Sequence, residues 1–563
     1  MEKPIIYQVF TRLFGADADV NQHNGDKSVN GCGTMDDFTP RALAEIKKLG
    51  ITHVWFTGII EHATQTDYSA YGIPRDHPAI VKGKAGSAYA IKDYYDVDPD
   101  LATSVPARMK EFEALVARTH EAGMKVIIDF VPNHVARQYH SDVCPKGTED
   151  LGATDDTTLH FSPQNNFYYF PGETFHTDFD LQQGAAQPYT EIPARATGND
   201  VFSAFANHND WYETVKLNYG VDYTDGRTPH FDPVPSTWQK MTDILLYWAA
   251  KGVDGFRCDM AEMVPAEFWH WAIAKVKEAY PSILFIAEIY GPDSYRRYIH
   301  EGGFDYLYDK VGLYDTLRAV TCGTANAESI TACWQAVDDI RDHMLSFLEN
   351  HDEQRIASDF FAGNGEHGRA PMLVAAAFSR GPVMIYFGQE LGERAMDDEG
   401  FSGRDGRTTI FDYWTVDAVN RWRNQGKFDG RKLTPQEVDL QTFYSKLLNL
   451  CSKEKALREG DFYDLTYVNQ QNPKFNAHRQ YAFLRRSGKE VLLIVANFDN
   501  QPAHLEVNIP QHVFDTFSLK PVASAQATEL LSGEAVQTSF TPERPSPVEV
   551  PALSGVILKI RTR

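Results

Sequence analysis

The chain has 563 residues, which is too long for one hydrophobic core, so two or three domains are expected. Its net charge of −23 argues against a nucleic-acid partner held by phosphate contacts, and six cysteines in such a length form no disulfide framework. The N-terminal MEKPIIYQVF has no signal-peptide pattern, and no apolar run approaches the roughly 18 residues of a membrane span. We therefore expect no membrane partner and a cytoplasmic location, or a secreted or periplasmic one if a leader has been trimmed.

Eight short apolar runs alternate along the chain with segments of helical pattern. Continuously apolar runs are typical of parallel strands that helices cover. The pattern therefore predicts the α/β fold class, as a (β/α)8 TIM barrel. The predicted strands are residues 5–10, 52–58, 125–131, 253–259, 283–288, 304–309, 344–350 and 383–388.

The segments between these runs have helix start and stop signals. In PSTWQKMTDILLYWAAKG, the apolar side chains of Trp238, Met241, Leu245 and Trp248 recur at helical spacing. This segment and two earlier ones, PRALAEIKKLG and PARMKEFEALVARTHEAG, each end in a glycine shortly before a strand. A short helix-to-strand loop requires such a residue.

Two regions depart from this alternation. About 100 residues after the third predicted strand are rich in Asn, Asp, Thr, Gly, Pro and Tyr, which predicts a domain inserted before the third helix. Beyond a last helical stretch at 440–460, alternating runs predict a C-terminal antiparallel β-sandwich. The predicted domains are a barrel of residues 1–134 and 235–460, an inserted domain of 135–234 and a C-terminal domain of 461–563.

Polar residues follow four of the predicted strands, where parallel barrels carry their catalytic groups. Asp259 and Glu288 are 29 residues apart, about one barrel unit, and Glu288 and Asp352 are 64 apart, about two. The three carboxylates should therefore converge on one face of the barrel. The strand-end residues are Asp129, Asn133 and His134 after strand three, Arg257 and Asp259 after strand four, Glu288 after strand five, and His351, Asp352 and Arg355 after strand seven.

Three acids with an arginine and two histidines suit glycosidic bond cleavage. That reaction needs one ionised carboxylate at the anomeric carbon and one protonated carboxyl beside the leaving oxygen. Arg257 lies two residues before Asp259, on the same face of a strand, and should lower the pKa of Asp259. Burial and the other carboxylates should keep Glu288 protonated.

Each motif alone also has a structural explanation. A lone aspartate at a strand end is often a helix N-cap, and Arg257 with Asp259 could form a structural ion pair. Four such motifs in order, at barrel spacing, favour a catalytic site.

The runs DFVPNH, GFRCD, AEIY and ENHDE, in this order, resemble the signatures of the α-amylase family, glycoside hydrolase family 13. That family also carries a domain inserted after strand three and an all-β domain after the barrel. The resemblance covers nearly the whole chain. It implies a retaining hydrolase that cleaves α-1,4-glucosidic bonds in starch-derived maltooligosaccharides by double displacement, with an α-glucan as its partner.

The resemblance also implies roles for individual residues. Asp259 resembles the family's nucleophile, Glu288 its general acid/base and Asp352 the group that stabilises the transition state. Asp129, His134, Arg257, His351 and Arg355 match or neighbour supporting positions that bind substrate. Tyr89 resembles the tyrosine that stacks on the sugar, although it could instead pack under the long loop.

Substrate and reaction stay partly open. Typical α-amylases place Lys and His where this chain has Glu262 and Met263, and Glu262 could bind acceptor hydroxyls or face solvent. Transglycosylation or isomerisation, as in glucanotransferases or trehalose synthases, is the first alternative. A non-catalytic glycan-binding relative is the second. Chain length of the substrate, 1,4 or 1,6 linkage and oligomeric state are not determined.

Calcium is the one cofactor that the resemblance implies, and no organic cofactor is expected. Many members of the family bind it between the barrel and the inserted domain, and Asn133 matches a usual ligand. Oxygen-rich residues of the insert could complete such a site, namely Asp178, Asp180, Asp200 and Asp210.

Overall fold

Eight parallel strands form a closed barrel in the computed structural model, which describes residues 3–561. Neighbouring strands in the chain are neighbours in the sheet, and the barrel closes between β7 and β8, where Ser346 N donates to Pro382 O and Met384 N to Ser346 O. The predicted (β/α)8 barrel is thus confirmed. The strands are β1 (Ile5–Phe10), β2 (His53–Thr57), β3 (Lys125–Phe130), β4 (Gly255–Cys258), β5 (Leu284–Ala287), β6 (Tyr306–Tyr308), β7 (Met344–Leu345) and β8 (Val383–Tyr386).

The strands are continuously apolar because both of their faces are buried. Side chains such as Ile6, Trp55, Ile127 and Met384 form a cluster inside the barrel, whereas the alternate positions pack outward against the helices. Side chains from different strands meet in layers in such a barrel. Polar residues at the carboxyl ends of these strands therefore lie on the same face of the barrel.

The barrel helices begin and end where the sequence signals predict. Trp238, Met241, Leu245 and Trp248 are all buried, and Gly252 follows their helix with φ +90°, which favours glycine. Of the helices in residues 3–561, none is both long and apolar enough to cross a bilayer. The α-helices are Thr11–Phe14, Lys27–Asn30, Pro40–Lys48, Arg108–Glu121, Ser236–Ala250, Ala266–Ala279, Tyr295–His300, Asp315–Thr321, Ile330–Ala336, Arg369–Ala377, Asp417–Arg423, Pro435–Lys453, Lys455–Glu459, Thr466–Asn469 and Gln511–Phe517.

Strand β7 is shorter than the run that predicted it. The sequence indicates a strand over 344–350, but the strand spans Met344–Leu345, and one further bridge joins Ser346 to Val383. Asn350 stops the extended chain, because its Oδ1 accepts hydrogen bonds from the amides of Asp352 and Glu353. This turn presents His351 and Asp352 at the mouth of the barrel.

Two long connections between barrel strands cover the mouth of the barrel. A hairpin of Ile60–His62 and Ile91–Val97, which the periodicity did not reveal, follows β2 and carries Tyr89 in its connecting loop, just before the second strand. After β3, His134–Ala136 pairs antiparallel with Thr214–Lys216, so that residue 216 lies opposite His134. The chain between these two strands has only short strands, at Tyr169–Phe170, His176–Thr177, Ala194–Arg195 and Phe205–Ala206. Two more short strands, Val221–Asp222 and Thr228–Pro229, follow Lys216 and pair with each other.

The C-terminal region is a two-sheet antiparallel sandwich, as predicted. One sheet has the order β9-β10-β11-β16-β13-β14, the other pairs β12 with β15, and a separate apolar core lies between them. The strands are β9 (Asp461–Asp464), β10 (Gln480–Ser487), β11 (Glu490–Asn497), β12 (Ala503–Val507), β13 (Val522–Glu529), β14 (Ala535–Phe540), β15 (Ser546–Val550) and β16 (Ser554–Arg561).

The buried helix side chains should contribute strongly to stability. Trp248 is 0% exposed and its Nε1 donates to Tyr94 O at 2.7 Å. We expect Trp248→Ala to lower the free energy of unfolding by about 3–5 kcal/mol, since it opens a cavity in a packed core. Chemical denaturation measures this loss. Tyr71→Ala, at a residue that is 52% exposed, is the control, and an equal loss in both variants would contradict the packing of Trp248 in the core.

Candidate active site

Arg257 is the centre of the charged cluster at the carboxyl end of the barrel. It is fully buried on β4, where the strand register places it beside Asp129 of β3. Its Nη1 lies 2.8 Å from Asp259 Oδ1 and 3.4 Å from Asp129 Oδ1. Its Nη2 lies 2.7 Å from Glu288 Oε2. One guanidinium thus contacts carboxylates from three strand ends.

Asp259 has a charge environment that differs from the sequence-based expectation. Arg257 does lower its pKa, as predicted, but burial is the larger effect and the net pKa is raised above the ordinary aspartate value. The nearby carboxylate of Asp352 adds to the rise. Arg257 therefore acts on Asp259 in the predicted direction, but because it is shared with Asp129 and Glu288 it does not outweigh burial.

Glu288, at the end of β5, has a raised pKa as expected. Burial is the largest cause, Arg257 opposes it, and Asp259 and Asp352 reinforce it. The Glu288 carboxyl is held at both oxygens, since Tyr290 Oη donates to Oε1 at 2.6 Å and the Met260 amide donates to Oε2 at 2.9 Å.

Asp352 differs from the other two acids. Burial would raise its pKa, but His351 and Arg257 outweigh that effect and the net pKa is lowered. Its Oδ2 lies 3.1 Å from His351 Nε2. Gln8 Nε2 lies 2.8 Å from His351 Nδ1, so Gln8 holds the His351 ring at the nitrogen that does not face Asp352.

Aromatic rings form the floor and one wall of the site. Tyr89 stacks on His351 with ring centroids 5.0 Å apart and an interplanar angle of 23°. Its hydroxyl donates to Asp129 Oδ1 at 3.3 Å, and Trp55 Nε1 donates to Asp129 Oδ2 at 2.9 Å. Asp129 therefore orients the rings and Arg257 from below.

These groups open into a cleft of about 390 Å³. Six of the predicted site residues line it, while Asp129 and Arg257 lie beneath its floor. The six are Tyr89, His134, Asp259, Glu288, His351 and Asp352. The clustering inferred from barrel spacing is thus present in the structure.

Several cleft residues were not found from the sequence. Trp211 of the insert packs against His134 with ring centroids 5.2 Å apart, and Glu213 forms an ion pair with Lys82 at 3.1 Å. Phe401 and Phe411 come from the long segment after β8. None of these has a local signal, although Tyr290, two residues after Glu288 in AEIY, could have been found by the same-face argument.

Two further predicted substrate-binding residues, Arg355 and Glu262, lie outside the cleft lining, as Asp129 and Arg257 do. Arg355 is fully buried and donates to Glu349 Oε2, Phe387 O and Thr408 Oγ1, each at 2.9 Å. Glu262 accepts from the amides of Tyr290 and Gly291, both at 3.1 Å, so it supports the loop after β5. Sequence could not distinguish these structural partners from sugar hydroxyls.

The surroundings of Asn133 do not fit a calcium ion. Its Oδ1 accepts a hydrogen bond from Lys216 Nζ, which also lies 2.7 Å from Asp200 Oδ1. Asp178 binds His208, and Asp210 accepts from Asn199, so these carboxylates have partners within the insert. Within residues 3–561, three carboxylates lie close enough together to share a metal ion. They are Glu61, Asp93 and Asp96, on the hairpin after β2.

Comparison with known proteins identifies relatives across the chain. Residues 8–424 match the family model described as alpha amylase, catalytic domain. Alpha-amylase MalA of Haloarcula japonica is 23% identical over 543 residues, and the match covers 95% of this chain and 59% of that protein, so the chain spans little more than half the length of this relative.

Solved structures share the fold. The noncanonic maltogenic α-amylase AmyB from Thermotoga neapolitana superposes with a TM-score of 0.63 at 19% identity, covering 99% of this chain and 98% of the other. The α-amylase of Geobacillus thermoleovorans, solved with acarbose, gives 0.62 at 19% identity over 99% and 98%.

Removing the Arg257 charge should make stability depend on pH. In Arg257→Met, the buried acids Asp129, Asp259 and Glu288 lose the cation that they share, and their folded-state pKa values rise further. A carboxyl with a raised folded pKa binds more protons when folded, so stability falls as pH rises through that range. We expect a loss of about 3–5 kcal/mol at pH 8 and a smaller loss at pH 5, measured by thermal unfolding. Arg257→Lys keeps the charge and serves as the control, and an identical loss at both pH values would contradict the shared-cation role.

Proposed function

The chain belongs to the α-amylase family, glycoside hydrolase family 13, and from that premise we propose that it cleaves α-1,4-glucosidic bonds in maltooligosaccharides with retention of anomeric configuration. One observation carries the proposal. Asp259 and Glu288 bind opposite terminal nitrogens of the Arg257 guanidinium, which holds two carboxyls close together at the floor of the cleft. Close carboxyl pairs are the mark of retaining glycosidases, whose acids are about 5–5.5 Å apart.

In the first step, Asp259 attacks the anomeric carbon. Its Oδ1 is engaged by Arg257, and its Oδ2 lies in the cleft 4.0 Å from His134 Nε2, available to form the new bond. Protonated Glu288 gives its proton to the glycosidic oxygen as the carbon–oxygen bond breaks. The products are an ester between Asp259 and the sugar and a free leaving oligosaccharide.

In the second step, water enters where the leaving group was. Ionised Glu288 takes a proton from that water as its oxygen bonds to the anomeric carbon, and the ester bond to Asp259 breaks. The two displacements each invert the carbon, so the product keeps the α configuration. The raised pKa of Glu288 suits a group that must start protonated and later accept a proton.

Asp352 and the two histidines complete the machinery. The lowered pKa of Asp352 keeps it ionised, so it opposes the positive charge that develops on the sugar ring. Burial lowers the pKa of His134 to about 4, so it is neutral and suited to bind a sugar hydroxyl. Tyr89 presents a ring at the floor of the cleft, suited to the apolar face of a pyranose.

Two observations support the proposed substrate class, namely the similarity to solved α-amylases and the side chains that line the cleft. AmyB is named a maltogenic α-amylase, and the Geobacillus enzyme was solved with acarbose, which supports an α-1,4-linked glucan as substrate. The lining rings of Trp211, Phe401 and Phe411 suit neutral sugar faces. Glu262 is held by backbone amides and does not line the cleft, so it gives no support to binding of an acceptor sugar.

Digestion of maltoheptaose tests the reaction and the nucleophile together. We expect shorter maltooligosaccharides, released first as the α anomer in proton NMR. Asp259→Asn should lower kcat by about 10⁴-fold or more, because the attacking oxygen loses its charge.

The control is Asp293→Asn, at an exposed residue in the loop after β5, which should keep full activity. Longer oligomers would show that the protein transfers glycosyl groups, and trehalose-like products would show that it isomerises its substrate. A β anomer as the first product, or full turnover in Asp259→Asn, would reject the proposed mechanism.

The pH profile tests the acid. The Tyr290 hydroxyl donates to Glu288 and thereby lowers its pKa. Tyr290→Phe removes that bond, so the pKa of Glu288 should rise and the alkaline limb of kcat/KM should move to higher pH, with the acid limb unchanged. A shift of the acid limb alone would contradict the assignment of Glu288 as the acid.

A further inference from the structure

We propose that the ammonium group of Lys216 takes the place of a metal ion between the barrel and the inserted segment, so that this junction is held by a side chain and needs no calcium. The proposal goes beyond the catalytic function, and its main readouts require no substrate. It rests on the contacts of one buried lysine.

Three oxygens from three parts of the chain converge on Lys216 Nζ. They are Asn133 Oδ1 at the end of β3, Asp200 Oδ1 at 2.7 Å in the insert, and Met263 O at 3.3 Å in the turn after β4. An ammonium group has three donors and no acceptor, so three acceptors satisfy it. A carboxylate, an amide oxygen and a backbone carbonyl are also ligands that calcium prefers.

Lys216 is built into this position. It is 2% exposed, and its strand pairs with His134–Ala136, which fixes its backbone directly opposite His134. Its neighbour Leu217 donates to Asn133 O at 3.0 Å. On the other side, Asn133 Nδ2 donates to Gly198 O at 2.8 Å. Both ends of the Asn133 amide are therefore used, and the space a cation would need is filled by the lysine.

The position of this cation links it to the catalytic acids. Met263 is four residues after Asp259, in the turn whose first residue, Met260, donates its amide to Glu288 Oε2. Lys216 also adjoins His134, which lines the cleft. We therefore assign Lys216 as a positioning residue that fixes the inserted segment against the loop following the nucleophile.

Thermal unfolding of metal-stripped protein tests the replacement. In excess EGTA, the wild type should keep its Tm. Lys216→Met removes the charge but still fills the space, and Lys216→Ala opens the space. Both should lower Tm by roughly 5 °C or more, since each leaves Asp200 without its buried partner. Limited proteolysis should then cut faster within residues 137–235.

Calcium distinguishes an ion-like role from ordinary packing. Millimolar calcium should raise the Tm of Lys216→Ala, where the three oxygens can now receive an ion, and should not raise that of Lys216→Met. Sodium chloride at matched ionic strength is the control for screening. A calcium effect of equal size in both variants, or none in Lys216→Ala, would refute the ion-like role.

A crystal structure grown in calcium locates any ion directly. The expected result is Lys216 Nζ between Asn133 and Asp200, with no ion bound to Asn133 Oδ1. An ion at that oxygen in the wild type, with Lys216 displaced, would overturn the proposal, as would an unchanged Tm in Lys216→Met. Because unfolding and crystallography do not depend on turnover, failure here is separate from failure of the proposed hydrolysis.

Discussion

A buried arginine is the constraint on which the catalytic end of this barrel depends. Arg257 is fully enclosed, so its charge and donors must be matched inside the protein. Asp129, Asp259 and Glu288 supply the charge, and Tyr308 Oη accepts from Nε at 3.1 Å. The faces of Trp55, Tyr89 and Tyr308 lie 5.2–5.5 Å from the guanidinium carbon, which adds cation–π attraction.

One cation cannot fully compensate the charges of several buried acids, and the acids therefore differ in pKa. Asp259 and Glu288 share Arg257 and keep raised pKa values, whereas Asp352 has His351 as a neighbour and a lowered one. The orientation of His351 depends in turn on Gln8 of β1. Acid–base behaviour is therefore set by strands far apart in sequence and adjacent in the barrel.

A second buried cation serves the junction above the first. Lys216 gathers oxygens from the end of β3, the insert and the turn after β4, as Arg257 gathers the strand ends below it. The two differ in chemistry. The planar guanidinium is a fork for carboxylates, while the ammonium is a compact charge with three donors, which resembles a small ion. Each cation holds segments that no local interaction would bring together.

The barrel and the positions of its acids can be predicted from the amino-acid pattern alone. Continuous apolar runs between glycine-terminated helices specify strands buried on both faces, and acids at strand ends, one or two units apart, must share a rim. The contacts of those side chains depend on the folded arrangement. Arg355 binds Glu349, Thr408 and the Phe387 carbonyl, and Glu262 binds backbone amides. Asn133 binds a lysine 83 residues away, and Trp211 enters the cleft from the insert. Periodicity reports which face a residue occupies, but hydrogen-bond partners and the balance between burial and charge depend on distant segments that only folding brings together.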